Sequence, residues 1–172
     1  MIAQSDLNDL GMHTELCSDA YLSMYRAGKL TNRKKNIDRG KGVFGCALGS
    51  LELYEWLDDN HGIAAYPLEY VNRPSVIAQI DNMVSINSCV AVDLYGQVAA
   101  ESAGARQISG TGGQLDFLIG ASASRGGKAF ICMSSVHTDR HGGKHSRIKP
   151  QFDGDIITSP RSQVYFLATE YG

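Results

Sequence analysis

The chain has 172 residues, a size that points to one domain, with or without a small appendage, and its own buried core. Hydrophobic residues make up 43% and charged residues 20%, too apolar a mixture for disorder, and no apolar run approaches the roughly 18 residues of a membrane span, so no membrane is expected as a partner. Sixteen Lys and Arg against eighteen Asp and Glu leave a formal charge of -2, which provides no global positive field for a phosphate backbone and removes nucleic acid from the expected partners.

In chain order, MIAQSDLNDL carries an acidic pair and lacks the apolar core of a signal peptide. The cysteines, Cys17, Cys46, Cys89 and Cys132, are far apart and form no CxxC, so reduced thiols in the cytoplasm and no structural zinc are expected. CSDAYLSMYRA predicts a short helix capped by Ser18 or Asp19, with Ala20, Met24 and Ala27 on one face and a stop at Gly28. The basic stretch KLTNRKKNIDRGK reads as a solvated loop, with anion contact as its alternative. GVFGCALG predicts a strand, and SLELYEWLDDN a helix with Ser50 as N-cap and apolar residues at 53, 56 and 57. IAAYPLEYV predicts a strand that ends at Pro67, and RPSVIAQ one or two helical turns started by Pro74.

MVSINSCVAVDLYGQVAAES then predicts two strand segments broken near Gly96, most simply a hairpin. GTGGQLDFLIGASAS is a glycine turn opening a helix, KAFICMSSV a buried-type strand, and DIITS and QVYFLATEY the last two strands. Strands and helices interleave throughout, which predicts an α/β fold with a mixed, largely parallel sheet and flanking helices.

Three groups of residues bear on chemistry. The turn SGTGGQ, Ser109 to Gln114, can aim successive main-chain N–H groups and the positive end of a helix dipole at an anion or a developing oxyanion, or can be no more than a tight strand-to-helix connection. His137, His141 and His145 have the i, i+4, i+8 spacing of a helical metal face, but Gly142 and Gly143 interrupt it, so a hairpin loop is expected there and no metal. Glu15 and Glu101 are carboxylates whose neighbours are not those of a solvated surface, and each suits either a nucleophile or an ion-paired, capping role. A carboxylate attacks a thioester usefully because the departing thiolate has a conjugate-acid pKa near ~8.5 and leaves without strong acid assistance.

DLGMHTELCSD, PLEYVNRPSVIAQIDNMVSINSCVAVDLYGQVAAES, SGTGGQLDF and the terminal VYFLATEYG, taken together and in order, resemble the C-terminal domain of the acetyl-CoA hydrolase/transferase family, in its branch of 4-hydroxybutyrate and butyrate:acetate CoA-transferases. The resemblance implies a CoA-transferase fold and ping-pong acyl transfer through a glutamyl-CoA thioester. Its substrates are then a short-chain acyl-CoA and a small carboxylate, with coenzyme A entering as substrate and no resident cofactor. It further implies that Glu15 is the nucleophile, with Glu101 second, that Asn72 orients the Glu15 carboxylate, and that Gly110, Gly112, Gly113 and Gln114 cradle the thioester oxygen and position CoA.

Relatives in this family carry an N-terminal CoA-transferase domain before the matching segment and a helical tail after it, so the chain is expected to be a fragment of such a protein. An acyl-CoA hydrolase, or a CoA-binding module without turnover, are the alternative readings. An uncovered apolar rim around Glu15, Asn72 and the glycine turn, with self-association into a homo-oligomer, is expected to follow. HTDRHGGKHSRI is more basic than the corresponding family segment, and the resemblance assigns it no role.

Overall fold

A computed structural model describes residues 2–172, which divide into two compact units, 2–81 and 82–172. The length alone had pointed to one domain, and no Gly-, Pro- or Ser-rich linker marks the division at Asp81 and Asn82.

The first unit opens with a 3-10 turn over Ile2–Gln4 and then alternates strand and helix: β1 (His13–Cys17), α1 (Asp19–Arg26), β2 (Gly42–Ala47), α2 (Leu51–Leu57), β3 (Ile63–Ala65), α3 (Leu68–Val71) and α4 (Pro74–Ile77). Its sheet has the order β1-β2-β3 and is parallel throughout, with Thr14 opposite Phe44, Leu16 opposite Cys46 and Val43 opposite Ala64. Local chemistry sets the helix ends. Ser18 precedes α1 in an extended conformation, and after its C-cap Gly28 turns the chain at φ +69°, a left-handed geometry that glycine adopts without steric cost. At α2 the Ser50 hydroxyl oxygen accepts from Leu53 N at 3.3 Å and donates to Asp19 Oδ1 at 2.6 Å, so one side chain caps α2 and ties it to the start of α1. Met12, Cys17, Leu22, Met24, Leu30 and Leu53 form the core.

Three expectations change in this unit. The buried face of α1 carries Leu22 and Met24, while Ala20 and Ala27 are exposed, because the larger side chains bury more apolar area. Beyond Pro67 the chain forms α3, for which proline, with its fixed φ of -55°, supplies the N-cap position. Segment 29–41 is irregular as expected but is not solvated throughout: Asn32 and Lys35 are each only 5% exposed.

In the second unit β4 (Val84–Ser88), β9 (Lys128–Cys132) and β13 (Phe166–Ala168) form a parallel sheet of order β13-β9-β4, with α5 (Gln114–Ala123) packed on β4 and β9. A mixed sheet, β12-β5-β6, combines β5 (Ala91–Asp93), β6 (Val98–Ala99) and β12 (Ile148–Lys149). Two hairpins complete it, β7 (Ser102–Ala103) with β8 (Arg106–Gln107) and β10 (Val136–Thr138) with β11 (Lys144–Ser146). The hairpin expected around Gly96 is β5–β6, with Gly96 at φ +85°, while β4 pairs with β9 instead. DIITS forms no strand; its one ladder contact is an isolated bridge between Ser159 and Val98, and Thr158 and Ser159 spend their side chains on hydrogen bonds below the surface. Among the described residues no helix is long and apolar enough to cross a membrane.

Candidate active site

Glu15 is the central residue of β1 and partly exposed. Side chains alternate across a strand, so it shares a face with His13 and Cys17. Opposite it on β2 stands Gly45, where an added Cβ would collide with Leu68 Cδ2 and lie 3.3 Å from the Glu15 carbonyl oxygen. Glycine there lets Leu68 of α3 settle over the strand beside the glutamate. Cys46 donates its thiol to the Glu15 carbonyl at 3.4 Å, a bond to main chain.

His13 joins this strand to α3. It is buried, and its Nε2 donates to the Val71 carbonyl at 2.8 Å; burial pushes its pKa down, which keeps the ring neutral and Nε2 protonated at neutral pH. The next residue, Asn72, is the C-cap of α3, and its Oδ1 is buried with no hydrogen-bond partner among the described residues. Asn72 thus directly follows the residue whose carbonyl holds His13 of β1. Such an unpaired buried amide end is costly in a finished fold.

Behind β1 sits a residue that sequence reasoning placed in solvent. Lys35 Nζ donates to the Met12 carbonyl at 3.0 Å and to the Lys41 carbonyl at 2.7 Å, and Asn32 Oδ1 accepts from Met12 N at 2.8 Å. Burial pushes the Lys35 ammonium down to about 8, with nearby Asp38 opposing the shift. Loop 29–41 is thus stapled to the residue that precedes β1. No sequence signal separates Lys35 from Lys34, whose side chain is 73% exposed and faces Asp9.

In the second unit Gly110, Thr111 and Gly112 form an exposed crest, and Gly113 is the N-cap of α5. Gly112 takes φ +58°. Gln114 opens the helix, but its side chain is committed elsewhere: Nε2 donates to the Ser88 carbonyl at 2.8 Å and Oε1 accepts from Ser159 Oγ at 2.9 Å. The Gln114 side chain is therefore tied into the second unit. Glu101 is 6% exposed, and its Oε2 accepts from Thr111 Oγ1 and Thr158 Oγ1, each at 2.9 Å.

The histidine segment is a hairpin. His137 and His145 are cross-strand partners, and Asp139 at the turn accepts from His145 Nε2 at 2.9 Å and from the N–H groups of His141 and Gly143. Those bonds, that of His145 first, hold the Asp139 carboxyl down at about 2. No cluster of three or more metal-ligating side chains occurs among the described residues.

Parallel sheets in each unit with helices interleaved, and a match to solved structures over nearly the whole chain, make this an α/β protein of the CoA-transferase type. The structure of RipA from Yersinia pestis superposes with a TM-score of 0.88 and 44% identity, covering 97% of this chain and 37% of that one. The sequence profile described as the acetyl-CoA hydrolase/transferase C-terminal domain matches residues 49–172, and the chain belongs to that family. Over 173 residues it is 54% identical to a protein of Syntrophomonas wolfei subsp. wolfei named "Probable butyrate:acetyl-CoA coenzyme A-transferase", covering 100% of this chain and 38% of the relative. It is 50% identical to the butyryl-CoA:acetate CoA-transferase of Anaerostipes caccae, covering 100% and 39%. The chain thus spans about two-fifths of the length of these curated relatives.

Proposed function

We propose that the chain supplies the nucleophile-bearing part of a cytoplasmic acyl-CoA:carboxylate CoA-transferase for short acyl groups such as acetate, butyrate or 4-hydroxybutyrate. One combination supports this: 54% and 50% identity over the full chain to proteins named as CoA-transferases, with a partly exposed glutamate on the first strand of a parallel sheet. An N-terminal CoA-transferase domain is the partner this function requires, because one wall does not exclude water from an activated ester.

In the proposed cycle the Glu15 carboxylate attacks the thioester carbonyl and expels CoA as thiolate, forming an acyl-glutamyl anhydride. The thiolate then attacks the glutamyl carbonyl, the donor carboxylate leaves, and Glu15 carries CoA as a thioester. The acceptor carboxylate reverses both steps: it displaces the thiolate to form a new anhydride, and the thiolate takes the new acyl group and restores the glutamate. Each displacement exchanges one activated acyl bond for another, so no strong general acid is needed. His13 and Gly45 fix the strand and α3, Asn72 offers its amide to the carboxylate, and main-chain N–H groups of Gly110 to Gln114 serve the thioester oxygen.

The direct test mixes the chain with a separately expressed N-terminal half of the Syntrophomonas relative, adds butyryl-CoA without acceptor, and maps the protein by mass spectrometry. A peptide containing Glu15 that gains CoA less one water, absent in Glu15→Gln, is the expected result. Adduct on the Glu101 peptide would overturn the assignment. Butyrate released over many turnovers with no acceptor present, beyond the one equivalent that forming the Glu15 thioester itself liberates, would indicate a hydrolase, and CoA binding without adduct or turnover a passive module.

A further inference from the structure

The turn assigned above to the thioester is exposed and glycine-rich, and such a segment ought to wander. Glycine at both ends of the crest leaves Thr111 as the one side chain able to anchor it. We propose that Glu101 is a positioning residue that fixes this crest from beneath through Thr111; the inference rests on the assignment of the turn to the CoA thioester.

The hydrogen-bond directions support it. A threonine hydroxyl has a single proton, and Thr158 Oγ1 already accepts from Ala100 N at 2.9 Å, so its proton points to Glu101 Oε2. Thr111 Oγ1 donates to the same oxygen. The carboxyl of Glu101 thus joins the buried segment at Thr158 to the exposed crest. Its main chain holds the entry to the crest as well, since the Glu101 carbonyl accepts from Ile108 N at 2.8 Å and from Ser109 N at 3.2 Å. At the exit Gln114 is held between Ser88 and Ser159. The segment is gripped before, beneath and after the crest, while Gly110, Thr111 and Gly112 remain exposed. N–H donors set in place before substrate arrives need no reorganisation during reaction, which is the condition under which they stabilise a developing oxyanion most. An oxygen occupied by two hydroxyls and buried below the surface is correspondingly unsuited to attack a thioester.

The test uses Thr111→Val, which removes the tether and leaves Glu101 bonded to Thr158, alongside Thr111→Ser, Glu101→Gln and Glu101→Ala. In 15N relaxation of the 172-residue chain, amide order parameters at residues 110 to 112 should fall from about 0.85 to below about 0.6 in Thr111→Val and Glu101→Ala, with α5 and β9 unchanged. Thr111→Ser and Glu101→Gln, which keep a hydroxyl and an acceptor oxygen, should stay near the parent. In the mixed enzyme Thr111→Val should lower kcat about 10- to 100-fold with KM for butyryl-CoA within about twofold, and Thr111→Ser should restore it. Unchanged order parameters in both Thr111→Val and Glu101→Ala overturn the proposal, even where transfer is lost, and leave the CoA-transferase reading standing. A loosened crest with unchanged kcat removes the turn from the reaction and overturns Glu101 as a positioning residue for it. Loss of transfer in Glu101→Gln equal to that in Glu15→Gln overturns it in favour of Glu101 as nucleophile.

Discussion

Segment 29–41 of the first unit and segment 108–113 of the second are both irregular, yet each is anchored by one buried ionisable side chain, with opposite chemistry. Lys35 has only protons to give and closes on two main-chain carbonyls, those of Met12 and Lys41. Glu101 offers only acceptors and closes on two hydroxyls, those of Thr111 and Thr158. The first anchor ties a loop to the residue that precedes β1, which is main chain already held by a sheet; the second ties a buried segment to an exposed glycine crest. Burial of an ionisable group is tolerated in both because each keeps two hydrogen-bond partners below the surface. What differs is the object held: the strand beneath Glu15 in one unit, a set of N–H donors in the other.

The largest expected effect separates the two glutamates. Glu15→Ala in the mixed enzyme should lower transfer by at least about 10⁴-fold, the scale on which removal of a covalent nucleophile is felt, with the urea midpoint of the chain unchanged. Glu101→Gln should cost far less in rate. Equal losses from the two would erase the distinction between a reacting and a positioning carboxylate.

Next in size is Lys35→Met. It removes the ammonium while keeping most of the aliphatic stem, and leaves the Met12 and Lys41 carbonyls without that donor; loss of about 3 kcal/mol of stability in urea is expected. A loss below about 1 kcal/mol would mean that loop 29–41 is held by Asn32 and its turns alone.

The contrast between the two anchors also marks what the sequence could and could not say. Helix ends at Ser18, Gly28 and Ser50, the glycine turn before α5 and the hairpin at Gly142 and Gly143 were legible because each is written in adjacent residues. Lys35 was not, since its burial is decided by carbonyls that the fold brings to it, one of them 23 positions away, and Lys34 beside it has the same local context. Thr158 was misread for the same reason: DIITS has strand composition, but its hydroxyl serves Glu101, 57 positions away. The pattern of residues left Glu15 and Glu101 equivalent, and family resemblance alone ranked them. The division at Asp81 and Asn82 had no local sign at all.

A pH dependence follows from the Lys35 anchor. Its ammonium drops from 10.5 to about 8 on folding because burial disfavours the charge. Between those values the unfolded chain binds more protons than the folded one, so this group's contribution to stability rises with pH through that window and is lost as pH falls through about 8. Cys17 and Cys89, pushed up to about 11 by burial, act in the opposite sense above 9, so the parent's curve alone is ambiguous. The difference between parent and Lys35→Met removes them. Their stability gap should widen from pH 8 to pH 10 by on the order of 2 kcal/mol, and a gap that stays flat would show that Lys35 is solvated when folded.

The smallest effect expected is at Gly112, and it reads the second anchor directly. Its φ of +58° is a conformation that costs alanine about 1 kcal/mol, provided that the backbone is held there. A crest fixed by Glu101 cannot relax to suit the new side chain, so Gly112→Ala should lower stability by about 1 kcal/mol. Released by Thr111→Val, the same crest can move to negative φ and the penalty should fall toward zero. The double-mutant cycle of Thr111→Val and Gly112→Ala, followed in urea, should therefore show a coupling of at least about 0.5 kcal/mol, with the double variant more stable than the sum of the single losses predicts. Simple additivity would mean that Thr111 touches Glu101 without constraining the glycine beside it, and the two anchors would then differ in kind as well as in chemistry: one that holds a segment, and one that only fills a site.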